Sequence, residues 1–362
     1  MNFRVNNLLD LYTDYLLVTP TYSTATGLSS VTDNKVSHDQ VTRLLSGQIN
    51  SSTLWQQVKP LIHEIHCDDG LLIIDDSIEP KPFTKTNALI NWHYDHCTGK
   101  SVKGVNFVSS FYYSPKYSMG LPVGVDYVLK DQEQIDKQGK VTYKSKRTKN
   151  EMMRDMTRDA DYNMSFKYVL ADSWFSSAEN MSCITEDCNS DFIMAIKSNR
   201  VVALSKDDKE KGIYHSIESL ELEGRTMSVY LKQYNKPVLI AKQVFKNGDG
   251  STGTLYLATS DLNLDYSSLT AIYEKRWKVE EFFRSIKNNA AFAKAPTKTI
   301  KTQQAHFTAS MIAFIKLERL KLRNSKNHYA MKSEIWLAAT KAAWKQLDKL
   351  STPNINFNKI AA

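Results

Sequence analysis

The run Leu71-Leu72-Ile73-Ile74-Asp75-Asp76 constrains the fold more than any other segment of the chain. Four consecutive apolar residues of this kind suit a buried strand, and two adjacent carboxylates closing it are costly to desolvate unless they open onto a cleft and bind a cation. Side chains alternate along a strand, so only one of the two aspartates can share a given face. The texture recurs at Tyr168-Val169-Leu170-Ala171-Asp172, a second short strand ending in an aspartate. Taken singly, each aspartate could equally be a turn residue or a helix N-cap.

Around these runs the chain changes character in a definite order. Residues up to about 66 read as helices, with Ser37-His38-Asp39-Gln40 as a capping box ahead of Val41, Leu44 and Leu45. After the first apolar run come β-like segments at 102–113 and 121–129, a helical stretch at 151–164 and the strand before Asp172. The order is β-β-β-α-β, with carboxylates at the ends of the first and fourth strands. That is the pattern of a ribonuclease-H-like core. Further β-like segments follow at 191–197, 226–233, 237–245 and 254–258, then a helix from near 267, and apolar periodicity at 307–322 and 335–347.

The helix from near 267 carries the densest chemistry. Tyr273, Arg276, Glu280 and Lys287 stand at offsets of three, seven and fourteen residues, and at about 100° per residue they share an arc of roughly 60°. Val279, Phe282, Phe283 and Ile286 point away from that arc and supply a buried side. A face with one carboxylate and two cations could offer oxygen to Mg²⁺ and bind phosphate oxygens beside it; a solvated face with intrahelical ion pairs is the plainer alternative. Together with Asp75 and Asp172, Glu280 completes the three carboxylates that two Mg²⁺ ions need to clamp a phosphodiester.

The whole chain agrees with a polyanionic partner. Lys and Arg number 47 against 39 Asp and Glu, a formal charge of +8, which favours nucleic acid without proving it. No apolar run approaches membrane-spanning length, and the first eighteen residues do not read as a signal peptide, so a cytoplasmic protein without a membrane partner is expected. Four cysteines, Cys67, Cys97, Cys183 and Cys188, are too few for a disulfide framework and read as reduced thiols.

On these residues the chain resembles the DDE transposases of bacterial insertion sequences, specifically the insertion-sequence-four family with its Y-x2-R-x3-E-x6-K signature, matched here by Tyr273, Arg276, Glu280 and Lys287. The resemblance covers roughly residues 70–295. It implies an α/β fold with a ribonuclease-H-like core, a mixed sheet flanked by helices, a mostly β insertion, and helical N- and C-terminal regions. The divisions expected are 1–66 as a helical, candidate DNA-binding unit, 67–187 and 260–299 as the two parts of the core, 188–259 as the insertion and 300–362 as the C-terminal region. The family's D-x-[ST] pattern is met by Asp75-Asp76-Ser77, which assigns the metal to Asp75 with Asp76 as alternative. By the same transfer Asp172 and Glu280 are the other catalytic metal ligands, for two Mg²⁺ ions with Mn²⁺ as a substitute, and Tyr273, Arg276 and Lys287 hold the transposon-end phosphates. The implied activity is cleavage at the inverted-repeat ends and joining of the freed 3′-hydroxyls to target DNA by a homodimer, with a hairpin end suggested by the signature. A stand-alone metal-dependent nuclease and a catalytically inactive DNA-binding derivative are the rival readings.

Several other clusters compete for a role. His63-Glu64-Ile65-His66-Cys67 and His93-Tyr94-Asp95-His96-Cys97 repeat an H-x-x-H-C spacing that could serve zinc, but the family needs none, and His93 and His96 are expected on the approach to the second strand, flanking DNA or on a surface loop. Lys140, Lys144, Lys146, Arg147 and Lys149 with Tyr143 form a basic stretch suited to phosphate contact or to a solvated loop. Trp174 and Phe175, directly after Asp172, could stack on an unpaired base or belong to the core.

Overall fold

The computed structural model describes residues 7–47, 49–96, 98–135, 139, 141–246 and 248–350. Four helices come first: α1 Leu8–Val18, α2 Ala25–Val31, α3 His38–Ser46 and α4 Ser51–Ile65. Each starts on a side-chain cap, from Asn7, Thr24, Ser37 and Asn50, and Ser37 with Gln40 closes the expected capping box. The strands β1 Leu71–Pro80, β2 Ile90–Asp95, β3 Lys100–Ser114 and β4 Met119–Tyr127 follow, then a small hairpin, β5 Gln132–Ile135 with β6 Val141–Lys144. Next come α5 Lys149–Asn163, β7 Tyr168–Ala171, the short α6 Ala178–Ser182 and β8 Asp191–Ile196. The remainder is β9 Val201–Ala203, α7 Lys206–Lys211, β10 His215–Ser216, β11 Thr226–Leu231, β12 Pro237–Lys246, β13 Thr252–Thr259, α8 Tyr266–Glu274, α9 Trp277–Asn289, α10 Ile300–Asn324 and α11 His328–Leu350.

Among the described residues eleven strands form one mixed sheet, in the order β10-β9-β11-β12-β13-β8-β7-β1-β3-β2, with β4 also on β3. Among the described strand pairs, β1 with β7 and β7 with β8 are parallel. The fifteen-residue β3 runs the full length of β1 on one edge and shares its other edge between β2 and β4. This is the mixed α/β architecture, with helices flanking a large sheet, of a ribonuclease-H-like core. The segments from β9 to β13 build no sheet of their own; they extend the common one through β13 and β8.

Three local expectations need correction. Asp75 and Asp76 do not end a strand, because β3 offers backbone partners all the way to Pro80, opposite Gly104. His93 is not on an approach to a strand but inside β2, opposite Val102, and buried. The helix expected to hold Tyr273, Arg276, Glu280 and Lys287 on one face is two helices. At the joint, Lys275, Arg276, Lys278 and Val279 donate to carbonyls three residues back, at 2.9–3.1 Å, a tighter turn than the α-helix makes.

That joint serves two separate apolar surfaces. Before it, Leu269 and Tyr273 are buried in α8, which packs on β8. After it, Phe282 stacks on Phe111 of β3 with ring centroids 5.1 Å apart, and Phe283 meets Phe107 edge-on at 5.5 Å. Val279 and Ile286 are fully buried beside them, as the periodicity required. Cutting a ring such as Phe282 back to alanine would cost about 3–5 kcal/mol. A second apolar cluster joins α1, α2 and α3 to α10, where the Tyr12 hydroxyl meets His306 Nδ1 at 2.8 Å.

Candidate active site

The parallel pairing of β1 with β7 places the first two acidic groups. Its register aligns Leu71 with Tyr168 and ends at Ile74 with Ala171, so the next residues of the two strands are Asp75 and Asp172. Opposite faces of β1 receive different helices. Lys287 of α9 donates to Ser77 Oγ at 3.2 Å, and Lys149 at the start of α5 pairs with Asp76 at 2.6 Å. Asp75 shares the Ser77 face by strand alternation. It therefore looks toward α8 and α9, and Asp76 looks toward α5.

Asp75 is 6% exposed. One carboxylate oxygen accepts the Asp76 backbone N–H at 2.8 Å, and the other lies 2.9 Å from Arg276 Nη1. Burial raises its pKa well above the usual carboxylate value; Arg276 opposes the rise, and Asp172, Glu280 and Asp76 add to it. Asp172 accepts the Trp174 backbone N–H at 2.9 Å, and burial also raises its pKa, against that hydrogen bond and with the help of Asp76. Glu280 Oε1 stands 3.7 Å from the same Arg276 nitrogen, with its side chain 37% exposed. Burial works against the charge on Arg276, but Tyr273, Asp75, Glu280 and Asp172 outweigh it and raise its pKa. An ion pair this deep adds little net stability, because desolvation of both groups offsets their attraction. Perturbed acids gathered around one cation make this cluster the candidate functional site.

The other signature residues divide. Lys287 sits at the rim, also donating to the Ile78 carbonyl at 3.4 Å. Tyr273, expected on a phosphate-holding face, is buried instead, and its hydroxyl donates to the Ala171 carbonyl at 3.3 Å, one residue before Asp172. Burial raises its pKa. Among the described residues no three histidine, cysteine, aspartate or glutamate side chains stand close enough together to hold a metal ion. The cation between Asp75 and Glu280 is the Arg276 guanidinium. The donor set nonetheless suits a hard divalent ion, being all oxygen, with one carboxylate desolvated and already holding a stand-in positive charge.

Sequence reasoning named Lys149, Trp174 and His96 separately but did not foresee that they meet on a second flank of the site. Lys149 lies 5.5 Å from the Trp174 ring centre, Trp174 packs against His96 at 4.7 Å, and His96 meets Tyr94 at 4.8 Å. Trp174 is 42% exposed while Phe175 is fully buried, so the adjacent pair splits between surface and core. His93 beneath them is pushed down to a pKa of about 4 by burial, with Lys130 and Lys149 adding to the effect. The histidine-cysteine clusters take other partners: the Cys67 backbone N–H donates to the Tyr112 hydroxyl at 2.9 Å, and His63 packs on His66. In the basic stretch Arg147 pairs with Asp126 and Asp155, leaving Lys144 and Lys146 toward solvent. Cys97 and Lys140 lie outside the described residues.

A large mixed sheet flanked by helices, with Asp75 on β1 and Asp172 just after the parallel neighbour β7, is the architecture of the ribonuclease-H-like class. The chain belongs to the DDE superfamily endonucleases, whose family profile matches residues 3–212. The profile described as a transposase DDE domain matches residues 139–316, so the two together span Asp75, Asp172 and Glu280. These domains mark a transposase-type endonuclease. A comparison with curated proteins found no match. Among the described residues no helix is long and apolar enough to cross a membrane.

Proposed function

We propose that the chain is a transposase of the insertion-sequence-four type, which cleaves the inverted-repeat ends of its element and joins the freed 3′-hydroxyls to target DNA. The observation that carries this reading is the placement of Asp75 on β1 next to the end of β7, where Asp172 follows, with Glu280 linked to Asp75 through one guanidinium. Asp75, Asp172 and Glu280 are the residues to hold two Mg²⁺ ions, or Mn²⁺ in their place. When bound, such ions supply activation of the attacking water or 3′-hydroxyl and stabilisation of the leaving oxygen. Asp75 is preferred over Asp76, whose carboxylate turns to Lys149 on the other face of the sheet.

The chain's own residues supply position and charge. Arg276 and Lys287 are the groups suited to phosphate oxygens of the transposon end, and Tyr273 fixes the strand end that presents Asp172. The exposed ladder of Tyr94, His96 and Trp174, with Lys149 beside it, suits an unpaired base next to the cut, which is what a hairpin end requires. Residues 1–66 are proposed to bind end duplex, with the exposed polar side of α3, His38, Thr42 and Arg43, toward the DNA. A homodimer is proposed through α11, which leaves Trp336, Leu337, Trp344 and Leu347 exposed.

Incubation with Mg²⁺, end DNA and a target plasmid tests the reading. Cutting with joining supports it. Cutting alone would make the chain a nuclease, and binding alone an inactive derivative.

A further inference from the structure

Arg276 occupies an unusual position for a phosphate-binding residue. Its guanidinium is already engaged by Asp75 at 2.9 Å and Glu280 at 3.7 Å, and its side chain is 16% exposed. It caps α9 by its place in the chain, yet its side chain makes no capping hydrogen bond, and it stands at the joint where α8 gives way to α9. Turning that side chain outward therefore breaks neither helix. Lys149 cannot take its place, because Lys149 holds Asp76 from the other face of the sheet.

Two consequences follow from electrostatics. A divalent cation approaching Asp75 and Glu280 meets a fixed positive charge that must leave before both carboxylates are free. The ligand best able to draw a guanidinium away is one that accepts two parallel N–H bonds and brings negative charge of its own, and a phosphodiester does both. Resting on the function proposed above, we infer that Arg276 bars Asp75 and Glu280 to divalent cations in the DNA-free chain and yields them when a DNA phosphate takes its guanidinium. Cation and DNA then load together, each raising the affinity for the other by the same factor. The free protein is thereby kept from arming its cation site away from DNA.

The test is Mn²⁺ binding to the full chain, followed by electron paramagnetic resonance, which does not depend on turnover. Without DNA, Arg276→Gln should bind Mn²⁺ about tenfold or more tighter than wild type. Arg276→Lys, which keeps the charge, should stay near wild type. Adding Glu280→Gln to Arg276→Gln should abolish the gain. If Arg276→Gln does not fold, wild type is titrated with and without a short duplex, using Glu280→Gln with the same duplex to subtract Mn²⁺ held by DNA alone; the same tightening should appear only with duplex present. Equal Mn²⁺ affinity in wild type and Arg276→Gln, or in wild type with and without duplex, overturns the inference. In that case loss of binding in Glu280→Gln would show that the carboxylates still hold the cation, whereas unchanged binding would also remove the site assignment.

Discussion

Arg276 and Asp75, 201 residues apart in the chain, meet at 2.9 Å between the joint of α8 with α9 and the middle of β1. The contact explains how the site tolerates so much acid. Burial raises the pKa of both Asp75 and Asp172, with Asp172, Glu280 and Asp76 adding to the rise at Asp75, and the Arg276 guanidinium is the charge that opposes it. The arrangement is built for exchange of one cationic partner for another rather than for stability.

Asp172→Asn should stabilise the protein while abolishing cleavage. The folded pKa of Asp172 is raised by burial, so stability is lost as pH rises from the ordinary carboxylate range through that folded value, where the acid ionises in the native protein. Asparagine removes the cost and keeps an oxygen for the Trp174 N–H, an exchange of activity for stability that functional sites often permit. Thermal melts should show the variant above wild type at neutral pH, with the gap closing as pH falls into the ordinary carboxylate range. A lower melting temperature at neutral pH would refute the assignment of Asp172 as a strained acid.

His306 should make stability fall with acid. Its ring is fully buried and neutral, with Nε2 donating to the Ala291 carbonyl at 2.9 Å and Nδ1 accepting from the Tyr12 hydroxyl. Burial lowers its pKa from 6.5 to about 4. The unfolded chain takes up the proton first, so the stabilisation is complete above about pH 6.5 and is lost as pH falls toward 4, on the order of 3 kcal/mol in total. Urea midpoints across that window should drop for wild type and drop less for His306→Gln. Parallel curves would show that His306 does not titrate with unfolding.

Tyr273→Phe separates support from contact. The hydroxyl bonds the Ala171 carbonyl inside the protein, so its loss should cost about 1 kcal/mol of stability and leave duplex affinity within about twofold. A large loss of DNA affinity at unchanged stability would return Tyr273 to a phosphate-holding role.

How much of this was legible beforehand differs by residue. The Leu71 to Ile74 run, the strand before Asp172, the Ser37 cap and the buried side of Val279, Phe282, Phe283 and Ile286 follow from local pattern alone, and each took the form its pattern required. The continuation of β1 past Asp76 did not, because it depends on partners offered by β3 rather than on apolar side chains. β2 was missed for a related reason: Asn91-Trp92-His93-Tyr94 does not alternate cleanly, and its burial comes from pairing with β3. The joint after α8 carries no glycine or proline to announce it; two different apolar docking surfaces impose it. The Arg276 contact with Asp75 lay beyond local pattern because it is made only when the joint of α8 with α9 docks against β1, 201 residues away.

Trp174→Ala should act on unpaired DNA and spare paired DNA. With 42% of its surface open and Lys149 alongside, the ring is placed to stack a base, worth roughly 1–3 kcal/mol. Binding of end DNA with a frayed or single-stranded terminus should weaken by that amount, and blunt duplex binding should hardly change. Equal weakening on both substrates would mean the ring supports the fold around Asp172 instead.

Three acids, from β1, the end of β7 and α9, are proposed to act as one catalytic set. The direct measurement is strand cleavage of end DNA in Mg²⁺ by Asp75→Ala, Asp172→Ala and Glu280→Ala, with duplex binding followed on the same preparations. Each variant should lose cleavage while retaining near wild-type binding. Cleavage that survives any one of the three substitutions would contradict it.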